Sequence, residues 1–207
     1  MLQHAEKQTK HRERVIANIK SSAEIVFAEH GYSGASFGKI ALQAGIPKSN
    51  VVYYFNNKET LYRFVVEDIF NVWRQAADSI HADNDPIQAL GDYIDIKIDL
   101  AKKRPFGSKV WANEIIQGAP IVQDYLENEL RSWTEDREKV IQTWIDRGQI
   151  KPVSPKHLLY LIWSGTQHYA DFQHQIEVLN SGKPFVDSDW ENAKQELKKI
   201  VLGGLIK

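Results

Sequence analysis

Apolar positions recur along most of the chain at the spacing of three and four residues that places side chains on one face of an α-helix. The first clear stripe comprises Ile16, Ile19, Ala23, Val26 and Phe27. Gly31 follows this stripe and predicts the end of the helix. We find no convincing run of strictly alternating apolar and polar positions, the signature of a half-buried strand. The pattern therefore predicts an all-α fold of about nine helices joined by short loops.

Capping residues and prolines predict where these helices begin and end. Ser36 is a good N-cap for a short helix that ends at Gly45, and Pro47 opens another that reaches Phe55. Asn57 precedes a long helix that extends to about Ile80. Later helices are predicted over 86–103, 105–116, 120–148, 155–179 and 188–205, the last behind a capping box of Ser188 and Glu191.

Charge divides the chain into two parts. The 207 residues carry 26 Lys and Arg against 27 Asp and Glu, a net charge of −1, which excludes binding of a polyanion through bulk charge. Residues 1–58, however, hold eight basic side chains against four acidic ones, and all six Trp lie beyond residue 58. A small basic head therefore precedes a larger, acidic and aromatic-rich body, which suggests two separate tasks.

Several classes of protein are excluded by composition. The absence of Cys excludes disulfides, thiolate catalysis and cysteine-bound zinc. The polar start predicts no signal peptide, and no apolar stretch reaches the length of a membrane span, so a cytoplasmic protein is expected. The spacing of His168, Asp171 and His174 does not place all three on one helical face, so we expect neither a metal nor a cofactor.

Two short helices around Gly45 are typical of a DNA-binding helix-turn-helix. Gly45 permits the left-handed backbone of a tight turn. The apolar seam expected between the helices consists of Ile40, Ala41, Val51, Val52 and Phe55. The side chains left exposed on the second helix are donors suited to phosphates and base edges: Lys48, Ser49, Asn50, Tyr53 and Tyr54. Many all-α proteins also contain two amphipathic helices with a glycine turn, so this pattern alone leaves a purely structural role open.

The run from Ile16 to Leu61 resembles the N-terminal domain of TetR-family transcriptional regulators. The matching motifs are F-A-E-H-G-Y at 27–32, I-A-L-Q-A-G at 40–45 and V-Y-Y-F-N-N-K-E-T-L at 52–61. The sequence departs from the family at Pro47, where many members have a capping Ser. The resemblance implies a homodimeric helix-turn-helix protein, a repressor, that binds a double-stranded DNA operator of inverted symmetry. It implies base contacts from Ser49 and Asn50, and phosphate contacts from Lys48, Tyr53, Tyr54 and Lys58, although Tyr54 could equally pack inward.

These features predict a disordered arm over residues 1–10, a DNA-binding domain over 11–57, and an effector-binding and dimerisation domain over 58–207. The helix predicted over 155–179 carries two neighbouring stripes, one mainly apolar and one aromatic and polar. Because both sides of this helix are suited to burial, we expect it to pack against its own subunit and against a partner subunit. The helix predicted over 188–205 repeats this pattern. We therefore expect a homodimer built on a four-helix contact from these two helices of each subunit.

A second resemblance concerns the body. The segments I-W-S-G-T-Q-H-Y-A-D-F at 162–172 and E-I-I-Q-G-A-P at 114–120, with I-K-I-D-L around Lys97, are similar to the RutR-type pyrimidine-utilisation regulators. This resemblance implies a small-molecule effector such as uracil or thymine, bound by Trp73, Lys97, Trp163 and Gln167. Residue chemistry alone favours simpler roles, in which the two Trp fill the core and Gln167 bonds within the chain. On that reading Lys97 pairs with Asp95, Asp99 or Glu114.

Two alternatives to a pyrimidine-responsive regulator follow from the same sequence. A TetR-type regulator that senses a hydrophobic drug, a fatty acid or an acyl-CoA would favour an apolar cavity rather than a site lined by Gln167 and Lys97. A helical enzyme would need a nucleophile–base pair, a phosphate-binding loop or a metal motif, and the sequence offers none, so no catalytic residue is assigned.

Overall fold

The computed structural model describes the backbone of residues 2–206 and the side chains of residues 7–206. All regular elements in that range are helical, and the all-α prediction is confirmed. The helices are α1 (Leu2–Gly34), α2 (Phe37–Ala44), α3 (Lys48–Tyr54), α4 (Lys58–Ala76), α5 (Pro86–Lys103), α6 (Pro105–Ile116), α7 (Gln123–Tyr125), α8 (Arg131–Asp146), α9 (Pro155–Asp171), α10 (Gln173–Leu179) and α11 (Asp187–Gly203). A π-helical segment, Leu126–Leu130, joins α7 to α8.

Local capping chemistry begins several helices where the sequence predicts. The Ser36 hydroxyl accepts the backbone N–H of Lys39 at the start of α2. The carboxylate of Asp85 accepts the N–H of Gln88 at the start of α5 (2.8 Å), directly before Pro86. Each cap satisfies a backbone donor that has no partner inside the helix, and proline lacks one of those donors already.

The N-terminus differs from the prediction of a disordered arm over residues 1–10. The structure is helical from Leu2, and Met1 lies outside the described residues. Gln, Lys, Glu and Arg all have high helix propensity, so a polar segment of this composition extends the helix that follows it. Gly31 interrupts α1 as predicted, with φ 66° and ψ 176°.

The helix predicted over 120–148 begins later, because a buried carboxylate takes its first backbone donors. Glu114 accepts the N–H of Ile121 (2.7 Å) and of Val122 (3.1 Å), which holds residues 120–122 in a turn. Ala119 precedes this turn with φ 56°, in the left-handed region. The helical path therefore starts at Gln123 and passes through the π-helical segment before α8.

Three other helix boundaries also differ from the prediction. The helix predicted over 155–179 breaks at Phe172, which has φ −111° and ψ 27°. The last helix begins at Asp187, because the Asp189 carboxylate accepts the N–H of Val186 (2.9 Å), so Ser188 is not its cap. The helix expected to reach Ile80 ends at Ala76 and is followed by a turn.

The helices form two compact units, neither of which is one continuous stretch of chain. The first unit contains residues up to Phe70 together with Lys109–Val122. Its core consists of apolar side chains from α1, α2, α3, α4 and the end of α6, among them Ile19, Phe27, Ile40, Val51, Leu61, Val65 and Val110.

The second unit contains Asn71–Ser108 together with the residues from Gln123 onward. Its core gathers side chains from α5, α8, α9 and α11, including Tyr93, Ile98, Trp144, Leu159 and Val201. Three ion pairs join α5 to α11: Asp95–Lys198, Asp99–Lys194 and Lys102–Asp187. Over the described part of the chain, the helices are too short or too polar to cross a membrane.

Candidate DNA-contact surface and effector site

The α2–turn–α3 segment of the first unit is held by its turn and by its apolar seam. Gly45 lies in the left-handed region (φ 65°), and its N–H donates to the carbonyl of Leu42 (3.2 Å). The predicted seam residues Ile40, Ala41, Val51 and Phe55 are buried, which fixes α3 against α2, whereas Val52 is 44% exposed and lies outside the seam. Asn18 of α1 donates its side-chain amide to the carbonyl of Ala44 (2.8 Å), the last residue of α2. The turn before α3 is therefore supported from α1 as well.

The exposed face of α3 contains most of the residues predicted to contact DNA. Lys48, Ser49 and Asn50 are exposed at its N-terminal end. Tyr53 is 81% exposed, whereas Tyr54 is half-buried with its ring edge-on to that of Tyr53 (centroids 5.0 Å apart). A helix N-terminus that presents an ammonium, a hydroxyl and an amide suits both phosphates and base edges.

Lys58, predicted to contact a phosphate, also has partners inside the first unit. Its ammonium donates to the carbonyls of Tyr32 (2.7 Å) and Ala35 (3.1 Å) and lies 4.4 Å from the centroid of the Tyr32 ring. Two of its three donors are thus used inside the unit, on chain that follows the glycine break in α1. These contacts give Lys58 a positioning role at the end of α1, and its contact with a phosphate stays a prediction.

A buried polar group that the sequence pattern did not identify lies in the same unit. The carboxylate of Glu114 accepts the hydroxyl of Tyr62 (2.9 Å) in addition to the two backbone donors of the 120–122 turn. Burial and the adjacent carboxylate raise the pKa of Tyr62 far above its usual value. From the sequence, Glu114 was considered only within a family motif and as a partner of Lys97, and neither observation predicted a bond to Tyr62.

In the second unit, Lys97 lies buried beside an aromatic ring. It is 3% exposed on α5, and its ammonium lies 3.9 Å from the centroid of the Trp73 ring. Burial lowers the pKa of Lys97 to about 7, although the negative charge of Asp171 opposes part of this effect. A cation on the face of a Trp ring is stabilised by the negative electrostatic potential of that face.

Asp171 is the carboxylate whose negative charge acts on Lys97. It ends α9 and accepts the hydroxyl of Ser108 (2.5 Å), a buried residue of α6. The three acidic residues considered as partners for Lys97 are engaged elsewhere: Asp95 with Lys198, Asp99 with Lys194, and Glu114 with Tyr62. The charged group that acts on Lys97 is therefore Asp171, which was not predicted from the sequence as a partner of Lys97.

Trp163 has partners of its own in the second unit. Its indole N–H donates to the hydroxyl of buried Tyr93 (2.9 Å), and its ring stacks on Trp133 with centroids 6.2 Å apart. Gln167 follows one turn later on α9 and is half-buried. The structure thus pairs Trp73 with Lys97, and Trp163 with Tyr93 and Trp133, all within the same unit.

Comparison with known proteins identifies both parts of the chain. Residues 19–65 match the family described as bacterial regulatory proteins, tetR family, and residues 66–207 match the YcdC-like protein C-terminal region. The HTH-type transcriptional regulator RutR of Escherichia coli K12 is 31% identical over 209 residues, 99% of each chain. The HTH-type transcriptional repressor NicS of Pseudomonas putida is 28% identical and spans 67% of this chain and 65% of its own.

Solved structures show the same fold. PfmR, a TetR-family regulator from Thermus thermophilus, superposes with a TM-score of 0.71 at 15% identity, over 91% of this chain and 99% of its own. HlyIIR, a hemolysin II transcriptional regulator, superposes with a TM-score of 0.66 at 23% identity, over 95% and 99%. These relatives are regulators and not enzymes. The chain belongs to the TetR family of DNA-binding transcriptional regulators, with a YcdC-like C-terminal region.

Proposed function

We propose that this regulator is a homodimeric repressor whose hold on its operator is controlled by a pyrimidine such as uracil or thymine. The observation that carries the proposal is the buried ammonium of Lys97 on the face of the Trp73 ring. A buried amine with a lowered pKa inside a sensing unit is expensive to maintain, which makes a functional role for it the better explanation.

The four residues proposed to bind the effector match the chemistry of a pyrimidinedione. Such a ring offers two carbonyl acceptors and two N–H donors in one plane. Lys97 would donate to a carbonyl, and the amide of Gln167 would meet one donor and one acceptor. Trp73 supplies a flat face, and Trp163, fixed by its bond to Tyr93, would form a wall of the site. A hydrophobic drug would leave these polar groups unpaired. The carboxylate of a fatty acid would pair with Lys97, but its acyl chain would leave the amide of Gln167 unpaired, which disfavours it.

DNA binding is assigned to the exposed end of α3. We propose that Ser49 and Asn50 read bases and that Lys48, Tyr53 and Tyr54 contact phosphates, on an operator whose inverted symmetry mirrors the dimer. This assignment follows the domain division predicted from the sequence, with 11–57 as the DNA-binding part and 58–207 as the sensing part. Because the partner is chromosomal DNA, the protein acts in the cytoplasm.

The dimer is proposed to form through helices of the 155–179 and 188–205 segments. Exposed apolar side chains on α9 and α11 support this choice: Leu161 is 51% exposed and Ile200 69% exposed. Large apolar side chains in water on two packed helices are typical of an interface between subunits. Regulators of this family are dimeric, which agrees with such a contact.

Helix α4 contributes residues to both units. Tyr62 lies on α4 within the first unit and Trp73 lies on α4 within the second. We propose that a ligand bound to Trp73 shifts α4. This shift would change the distance between the two copies of α3, the recognition helix, in the dimer. A coupling free energy of about 1–3 kcal/mol between the sites is enough for such a response.

The test is thermal unfolding of the full chain with uracil, thymine or a long-chain acyl-CoA, followed by operator binding. A pyrimidine should raise the unfolding temperature of the wild type, because a ligand of the native state stabilises it by mass action. Trp73→Ala and Gln167→Ala should lose this shift while retaining DNA affinity, and Gln149→Ala, at an exposed glutamine of the same unit, should behave as the wild type. Stabilisation by the acyl-CoA alone would reject the pyrimidine.

A further inference from the structure

We infer that residues 7–14 of α1 form a second DNA-contact element, which binds phosphates next to the bases that α3 contacts. The inference rests on DNA binding through the helix-turn-helix and adds a surface that the recognition helix does not contain. Three independent features support it: the exposure of this segment, its charge, and its position next to the turn before α3.

The segment is helical but takes no part in the core. Every side chain from Lys7 to Arg14 is exposed, and Ile19 is the first fully buried one among the described side chains of α1. The sequence K-Q-T-K-H-R-E-R has no apolar residue on any side of the helix. A helix that is polar all round gains nothing from packing, so a role in stabilising the first unit does not explain it.

The charge of the segment is strongly positive within a chain of net charge −1. It holds four basic side chains, Lys7, Lys10, Arg12 and Arg14, against the single carboxylate of Glu13. Lys10 and Arg14 are four residues apart on the same face, where like charges repel and weaken the isolated helix. A row of phosphates would relieve this repulsion, whereas an uncharged or basic partner would not.

The segment emerges next to the recognition helix. The amide of Asn18 donates to the carbonyl of Ala44 (2.8 Å), at the end of α2 and four residues before Lys48 begins α3. At a rise of about 1.5 Å per residue, Arg14 lies only about 6 Å along the helix from Asn18, and Lys7 about 16 Å. The basic segment therefore continues α1 from the level of the turn that precedes the recognition helix.

The chemistry of the segment fits the DNA backbone and not the bases. Lysine and arginine donate to phosphate oxygens in any sequence, and such contacts determine affinity and its dependence on salt. The element should therefore raise affinity for all duplexes by a similar factor and leave the preferred operator sequence unchanged.

The decisive variant replaces all four basic residues with glutamine, K7Q/K10Q/R12Q/R14Q, because glutamine retains helix propensity and the segment is exposed. Its affinity for an operator selected from a random duplex pool is measured between 50 and 200 mM salt. We expect the slope of log K against log salt to become shallower by about 0.9 for each phosphate that the variant no longer neutralises, with the selected sequence unchanged. The matched control removes four exposed lysines of the second unit, K103Q/K151Q/K183Q/K199Q, and should keep the wild-type slope.

Hydrogen exchange of the wild type gives a second readout that does not depend on any variant folding. Operator binding should slow exchange of the amides of residues 7–14. An unchanged salt slope in the quadruple variant, an equal change in the control, or unaltered exchange in the segment would each overturn the inference. A wild type that binds no duplex at all would instead overturn DNA binding itself.

Discussion

The ammonium of Lys97 lies 3.9 Å from the centroid of the Trp73 ring, and both residues belong to the second unit. This contact offsets part of the desolvation of a cation that is almost completely buried. The remainder of that cost appears in the pKa of Lys97, which burial lowers to about 7. The side chain therefore changes charge close to neutral pH.

This titration predicts how stability depends on pH. The unfolded chain keeps Lys97 protonated up to about pH 10.5, whereas the folded protein releases the proton near pH 7. Between these values the unfolded state binds more protons, so this residue makes stability rise with pH, by at most about 1.4 kcal/mol per pH unit. Below pH 7 both states are protonated and the full penalty of the buried charge is present.

Lys97→Met should abolish this contribution. Chemical denaturation at several pH values should show the variant more stable than the wild type near pH 6, with the advantage declining as the pH rises toward 10. Lys199→Met, at an exposed lysine, is the matched control and should follow the wild-type curve. An advantage for Lys97→Met that does not vary with pH would contradict the assigned titration.

Glu114 should be among the most sensitive polar positions of the first unit. Glu114→Ala leaves the hydroxyl of Tyr62 and the N–H groups of Ile121 and Val122 without their acceptor. Each buried unpaired donor costs about 1–3 kcal/mol, so a total loss of at least about 3 kcal/mol in the free energy of unfolding is expected. Urea denaturation measures it.

Tyr62→Phe provides the comparison for Glu114→Ala. It removes one hydrogen bond and leaves the carboxylate its two backbone donors, so we expect a loss of only about 1 kcal/mol. Equal losses in the two variants would mean that the 120–122 turn does not depend on the carboxylate.

Substitutions at Lys58 and Lys48 should distinguish a lysine that positions the end of α1 from a lysine that contacts DNA. Lys58→Met removes the donor to the carbonyls of Tyr32 and Ala35 and should lower the free energy of unfolding by about 1–3 kcal/mol. Lys48→Gln, at an exposed residue, should leave stability unchanged and make the salt dependence of operator binding shallower, by about 0.9 for each phosphate that Lys48 neutralises in the wild type. The reverse pattern would return Lys58 to the phosphate contacts.

Features set by neighbouring residues could be predicted from the sequence, and features set by distant ones could not. The N-cap of Ser36 and the left-handed turn at Gly45 involve groups within a few residues, and both were confirmed. The turn at 120–122 depends on a carboxylate seven residues away, and the contacts of Lys58 involve carbonyls 23 and 26 residues away. Periodicity contains no information about such contacts.

The candidate effector site shows the same division. Lys97 and Trp73 were selected through family resemblance, and their contact joins α4 to α5. Asp171 was not predicted to act on Lys97, because this effect and its bond to Ser108 appear only in the folded unit. Asp171 lies at the end of α9 because the helix breaks at Phe172. The sequence has neither Gly nor Pro there, so this break could not be predicted.

The proposed dimer leads to a last prediction, for Ile200 of α11. Its side chain is 69% exposed in the single chain and would be buried in the four-helix contact, so Ile200→Glu would place a carboxylate in an apolar interface. A penalty of about 3 kcal/mol raises the dimer dissociation constant more than 100-fold, and sedimentation at micromolar concentration should show monomers. Ile116→Glu is the matched control, since Ile116 is 80% exposed at the end of α6 in the first unit, and it should remain a dimer. Operator affinity should fall in Ile200→Glu alone, because one head can hold only one half-site; a dimeric Ile200→Glu variant would remove α11 from the interface.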